Sequence, residues 1–167
     1  SEEYYSDGWH GTRKLDGGGA LINQSIHYID LLLWMMGRPV QVFGFADNLG
    51  HRSIEVEDCA NAVVKFESGA HGIIQGTTCT YKGHPHRLEI HGTQGNVIIA
   101  GDEIQLWEVE GDETEYHPGE GRHGGSSDPK QGMGEQAVQA HAEQIGDLLK
   151  AIEENRQPTL NGQEARR

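Results

Sequence analysis

Basic side chains are scarce in this chain: 13 Lys and Arg stand against 26 Asp and Glu, a formal net charge of −13 at pH 7. Such a surface repels phosphate backbones and anionic headgroups, so neither nucleic acid nor a membrane is an expected partner. Cysteine is sparser still, with Cys59 and Cys79 alone. Two thiols make no disulfide framework, and both are expected to be reduced core residues. Long apolar runs are missing too. The most hydrophobic stretch, 29–36, is interrupted by Asp30 and falls far short of the ~20 residues that a hydrocarbon core requires. The opening Ser1-Glu2-Glu3-Tyr4 has neither a basic nor an apolar leader region, so the expected compartment is cytoplasmic. No strand leads into a Gly-x-Gly-x-x-Gly turn and helix, since Gly17-Gly18-Gly19 follows no apolar strand. The chain alone is therefore not expected to hold a dinucleotide.

What is present reads as an α+β domain. At 167 residues the chain is long enough to bury one core. Between Gly18 and Met36, Leu21, Ile22, Ile26, Ile29, Leu32, Leu33 and Met36 fall at helical spacing. Asp16 is the expected cap of that helix, with Gly37 and Pro39 its stop. Residues 39–47 and 58–66 read as strands, the second with Ala60, Ala62, Val64 and Phe66 on one side. A turn at Ser68-Gly69 leads into a third strand over 71–79, which would bring Cys59 near Cys79. Short strands are expected over 87–91, 96–100 and 103–109. Residues 101–121 hold eight carboxylates and no Lys or Arg, and 111–134 collects seven glycines, the composition of a mobile loop. A second helix follows over 135–155 and ends before Pro158. The expected architecture is a mainly antiparallel sheet of about six strands with helices on one face. Its opposite face is left as a contact surface.

Chemistry concentrates in the first helix. Asn23 and His27 are four residues apart and share a helix face. The glycines before them leave a patch without side chains, at the positive end of the helix dipole, where a planar ligand or a neighbouring domain can approach. Imidazole ordinarily titrates near neutrality, which suits it to exchange a proton with a hydroxyl as hydride leaves the same carbon. Asn23 cannot titrate and could only orient. The competing reading makes His27 a core histidine satisfied by backbone, with the glycines serving only to turn the chain.

The run W-H-G-T-R-K-L-D-G-G-G-A-L-I-N-Q-S-I-H-Y-I-D-L-L-L-W-M-M-G, from Trp9 to Gly37, resembles the start of the C-terminal domain of Gfo/Idh/MocA oxidoreductases. That family's pattern is G-G-G, then Asp or Asn, then His four residues later, then I-D-L-L and a helix-ending Gly. Similarity continues through Val56-Glu57-Asp58-Cys59-Ala60, Phe66-Glu67-Ser68-Gly69-Ala70, Glu89-Ile90-His91-Gly92-Thr93-Gln94-Gly95, a helix from His141 to Pro158, and Asn161-Gly162-Gln163-Glu164-Ala165-Arg166. The resemblance implies a glyceraldehyde-3-phosphate-dehydrogenase-like C-terminal domain that binds substrate and assembles the oligomer. It implies a preceding Rossmann domain, outside this chain, that binds NAD or NADP and supplies a catalytic Lys from an E-K-P motif. His27 would then be the acid/base of this half, Asn23 would stand where the family often has Asp, and the cofactor would approach the backbone of Gly18 and Gly19. Similar domains also continue past Arg167.

Under that resemblance Trp9, Arg13 and Lys14 lie at the mouth of a cleft, where an indole can stack on a sugar and a cation can meet a carboxylate or phosphate. Trp9 could equally pack a domain junction, with the cations solvated. Tyr81, Lys82, His84 and His86 lie in the connection between two strands, from which similar domains reach the substrate. His84 and His86 lack a third ligand, so no metal is expected, and His10, His71, His117 and His123 are expected at the surface. The implied function is hydride transfer between NAD(P) and a secondary alcohol of a sugar or sugar nucleotide, in a homo-oligomer built through the open sheet face. The isolated chain would be inactive. Two rivals are a non-catalytic sheet module for dimerisation or sugar binding, with no upstream dinucleotide half, and a metal-dependent hydrolase, which would carry stoichiometric zinc or manganese.

Overall fold

A computed structural model of the chain describes residues 3–101, 103–113 and 135–162. The chain divides into two units, Ser1–His86 and Arg87–Arg167. In the first, a π-helical turn at Ala20–Gln24 runs into helix α1 (Ile26–Met36). Strands β1 (Pro39–Asp47), β2 (Cys59–Phe66) and β3 (His71–Thr77) then form an antiparallel sheet in the order β1-β2-β3. In the second, β4 (Arg87–Gly92), β5 (Gly95–Ala100) and β6 (Glu103–Val109) form another antiparallel sheet in chain order, and helix α2 spans Glu135–Glu153. The residues of the glycine-rich stretch from 114 to 134, with His117 and His123, lie outside those described.

The six expected strands are present, but they are hydrogen-bonded as two sheets of three rather than one sheet of six. Alternation tells which side of a strand is apolar and leaves the choice of neighbour open. Within β2, Ala60, Val64 and Phe66 are buried and Ala62 half-buried, while Asn61, Val63 and Lys65 are exposed, so the alternation is that of a strand with one covered face. The cover includes the helical segment. A β-carbon at Gly76 would come within 2.7 Å of Ser25 Oγ and 2.9 Å of Leu21 Cδ2, and one at Gly72 would touch Leu32. Phe66 and Val64 are among the largest fully buried side chains of this core.

The turn between β2 and β3 covers residues 67–70 and is closed by the N–H of Gly69 on Phe66 O and of Phe66 on Ala70 O. The register pairs Cys59 with Thr77, not Cys79. Both thiols are free, and neither is in the core: Cys59 is half-buried and Cys79 exposed. In the second unit Leu88 and Ala151 are buried. Asp147 pins the chain after α2 by accepting from Arg156 Nη2 at 2.8 Å and Thr159 N–H at 2.7 Å.

Candidate functional site

The helical segment does not begin as the periodicity predicts. The expected single helix over 18–36 is split. Ser25 N–H bonds to Ala20 O, five residues back, before α1 resumes with the N–H groups of Tyr28 and Ile29 on Ser25 O. Neither N-cap residue, Gly19 or Ser25, makes a side-chain cap bond, and Asp16 is not the cap. Its place is taken by Glu57, just ahead of β2. The Glu57 carbonyl accepts Ala20 N–H at 2.9 Å, and its Oε1 accepts Leu21 N–H at 3.1 Å. Two of the donors that a helix start leaves open are thereby satisfied within the chain. Wide turns of this kind recur at functional sites.

Gly19 is buried at this junction, and a β-carbon there would overlap the Glu57 carbonyl. One at Gly18 would come within 2.9 Å of Ile22, whereas Gly17 has open space around it. The absence of a side chain at Gly19 thus has an internal reason in the segment before β2 that passes it.

Asp16 does other work. Its Oδ2 accepts the Gly11 N–H at 2.6 Å, and its Oδ1 accepts the Asn23 side-chain amide at 2.9 Å. The same amide nitrogen donates to Gly18 O at 3.0 Å. Asn23 is half-buried, and one turn on, at the start of α1, His27 is exposed to solvent. No hydrogen bond joins His27 to Asn23 among the described residues. An exposed imidazole does not fit the reading of a core histidine satisfied by backbone.

The remaining expected residues are scattered around this junction. Trp9 is exposed and lies 3.6 Å from His10, ring on ring. His10, expected as a surface group, is half-buried, with Nδ1 2.6 Å from Asp7 Oδ2 and its ring centroid 4.1 Å from that of Tyr4. Arg13 is docked on Glu55, with its N–H on Oε2 at 3.0 Å and Nε on the carbonyl at 3.1 Å. Lys14 is exposed and forms no ion pair among the described residues. Tyr81 is 87% exposed, with Lys82 Nζ 5.8 Å from its ring. His84 is exposed, and His86 stacks on Tyr28 of α1 at 5.1 Å.

A second cluster was not singled out from the sequence. Asp58 is fully buried; its Oδ1 accepts Leu49 N–H at 2.7 Å, and its Oδ2 accepts Gly50 N–H at 2.8 Å and His51 N–H at 2.6 Å. His51 Nδ1 lies 3.1 Å from the same oxygen. Burial pushes this carboxyl upward, but the N–H groups of Leu49, His51 and Gly50 and the Cys79 thiol outweigh it and hold the pKa well below the usual carboxylate range. His51, Asp58 and Cys79 bring ligand atoms within 4.8 Å of one another, the spacing of a metal site. The donors already on both carboxylate oxygens account for the cluster instead as a clasp tying residues 49–51 to β2. Its sequence signal was the acidic Glu57-Asp58 pair before β2.

For a dinucleotide the fit is poor. Both sheets are antiparallel, and the helix start that could face a pyrophosphate is filled by Glu57. The described residues could offer one edge to such a cofactor, not hold it.

Residues 1–98 match the GFO/IDH/MocA C-terminal domain. Myo-inositol 2-dehydrogenase of Thermotoga maritima is 31% identical over 88 residues, which is 48% of this chain and 25% of that protein. The WlbA dehydrogenase of Chromobacterium violaceum, solved with NADH and UDP-GlcNAcA, superposes with a TM-score of 0.71 at 33% identity, over 98% of this chain and 44% of that one. The Bordetella pertussis WlbA dehydrogenase, also with NADH and UDP-GlcNAcA, gives a TM-score of 0.71 at 26% identity, over 98% and 43%. The chain spans a quarter to a third of the length of the curated relatives it matches. With the G-G-G, Asn23 and His27 pattern running through the turn Ala20–Gln24 into α1, and a family match covering more than half of the sequence, this chain belongs to the GFO/IDH/MocA C-terminal domain family.

Proposed function

We propose that this chain is the substrate-binding half of an oxidoreductase that moves hydride between NAD or NADP and a secondary alcohol of a sugar or sugar nucleotide. The observation that carries the reading is His27. It stands exposed at the first turn of α1, one turn after Asn23, in a chain of this family. Relatives that work on an inositol, and others solved with a sugar nucleotide and NADH, support the substrate class.

Because the described residues do not hold a dinucleotide, the cofactor belongs to a Rossmann domain outside this chain, and the isolated chain is inactive. Hydride exchange at carbon is the chemistry that a nicotinamide supplies when bound. The chain's own part is the proton. His27 takes it from the substrate hydroxyl in oxidation and returns it in reduction, while Asn23 orients the substrate at an adjoining hydroxyl. Trp9, Lys14 and Tyr81, all exposed, supply stacking and charge to the sugar or its phosphate, and Arg13, anchored on Glu55, offers its remaining guanidinium nitrogens. Gly18 and Gly19 are where the cofactor's edge passes the backbone. Assembly is homo-oligomeric, through the uncovered face of the β1-β2-β3 sheet.

The test is His27→Ala in the full-length enzyme, assayed with NAD+ and NADP+ against myo-inositol and against UDP-GlcNAcA. Loss of general acid/base catalysis lowers kcat by about 10²–10⁴-fold with cofactor affinity unchanged. Unaltered turnover would remove His27 from the chemistry.

A further inference from the structure

We propose that Asp16 is a positioning residue that fixes the polarity of the Asn23 amide, so that Asn23 meets its ligand only as a hydrogen-bond acceptor. The inference rests on the reading above for the identity of the ligand, but not for the lock itself.

An asparagine amide presents two donor hydrogens on nitrogen and an acceptor oxygen, and a 180° flip exchanges them at almost no cost in shape. Here the flip is forbidden. Asn23 Nδ2 lies 2.9 Å from Asp16 Oδ1 and 3.0 Å from Gly18 O, both of them acceptors. Turning the amide over would set its oxygen against a carboxylate and a carbonyl at those distances, two repulsive contacts in place of two bonds. Asp16 is held in turn by the Gly11 N–H at 2.6 Å. Both amide hydrogens are therefore spent inside the chain, and Oδ1 has no partner among the described residues. The ligand group that meets it must bring its own hydrogen, as a hydroxyl or an N–H does. A hydroxyl has one hydrogen, so the group that donates to Oδ1 is not the hydroxyl whose proton goes to His27 but one beside it on the same substrate.

The lock also makes the chain intolerant of the residue that its family often carries at position 23. In Asn23→Asp, a carboxylate replaces the amide beside the Asp16 carboxylate, and like charges this close cannot both ionise at little cost. One carboxyl then has a folded-state pKa raised above its unfolded value. The stability it contributes is present in acid and is lost as pH rises through that raised pKa. Other titratable groups in the surroundings are Glu57, whose carboxylate sits on Leu21 N–H, and Tyr4, whose phenol is raised by burial first and by Asp16 next. His27, one turn on from position 23, is a further one, and because only the variant sets a carboxylate near it, the pH comparison is made with His27→Gln in both chains.

Three measurements test the proposal, the first two on the unliganded chain. In the nitrogen-15 spectrum, both Asn23 amide protons should exchange slowly and lie away from free-amide positions, and Asp16→Ala should return them there. With His27→Gln in every chain compared, the Tm of Asn23→Asp relative to its parent should fall by about 5 °C between pH 5 and pH 7. Asp16→Asn/Asn23→Asp should abolish that fall, because the amide introduced at position 16 can accept from the Gly11 N–H and donate to the carboxylate introduced at position 23. In the full-length enzyme, with UDP-GlcNAcA, or with myo-inositol if only that is turned over, the double variant should keep KM within about 3-fold, while Asn23→Ala raises it about 10-fold. Free-amide behaviour in the wild type, a pH-independent Tm difference for Asn23→Asp, or a double variant as impaired as Asn23→Ala would each overturn the proposal. If neither sugar is turned over while the amide protons show the lock, the oxidoreductase reading falls and the role of Asp16 stands.

Discussion

A single buried carboxylate organises the approach to β2. Asp58 satisfies three successive backbone N–H groups, those of Leu49, Gly50 and His51. Asp58→Ala strands all three in a site that water does not reach, and should cost on the order of 3 kcal/mol, read from urea unfolding. The sign of the pH effect is fixed by the depressed folded-state pKa. The stabilisation is present above the ordinary carboxylate range and is lost as pH falls, so wild type should lose more stability than Asp58→Asn between pH 7 and pH 3. A variant as acid-sensitive as wild type would contradict this account. At this scale the sequence was informative about residue type and poor on partnership. Asn23 and His27 stand out by spacing, and the structure puts Asn23 in the wide turn Ala20–Gln24 and His27 at the start of α1. Asp16 has the position of a helix cap, and nothing local shows that its two oxygens go to Gly11 and Asn23. The clasp on Asp58 was equally hidden, because the convergence of three N–H groups depends on a loop conformation with no periodicity.

Among the elements, strands were the more legible. Alternating residues and turn signals placed all six within two residues of their observed limits, β1 and β6 at the predicted bounds. Pairing was not legible, since the residues that separate β3 from β4 carry no mark of where the hydrogen bonding stops. The helix start was missed for a tertiary reason. Glu57, more than thirty residues downstream, supplies the caps that no neighbouring side chain provides, and the wide turn at Ala20–Gln24 results. Gly19 is where that arrangement is most exposed to mutation. Gly19→Ala drives a methyl into the Glu57 carbonyl, and should lower Tm well beyond Gly17→Ala. The latter meets only the strain of a backbone at φ +83°, about 1 kcal/mol. Equal Tm values for the two would show that the junction yields easily.

For the whole molecule the surface proposed for assembly is the side of the first sheet that the described residues of its own unit leave uncovered. Register aligns Phe43 with Val63 and Val63 with Ile73, a row across all three strands, and these side chains are 68%, 56% and 80% exposed. An apolar row of this kind on a chain of net charge −13 sets hydrophobic attraction between copies against long-range repulsion, which salt screens within about 10 Å. Self-association should therefore strengthen from low to moderate ionic strength. Phe43→Glu/Ile73→Glu should shift the sedimentation of the full-length protein towards monomer with its Tm little changed, and a variant that sediments as wild type does would place the interface elsewhere. All the residues proposed to touch substrate or cofactor, from Trp9 to Tyr81, fall within the unit Ser1–His86. On that proposal recognition is written as one uninterrupted cassette. A chimera that exchanges only those residues between two members of the family should inherit the donor's preference among sugars, and one that keeps the recipient's preference would place recognition elsewhere.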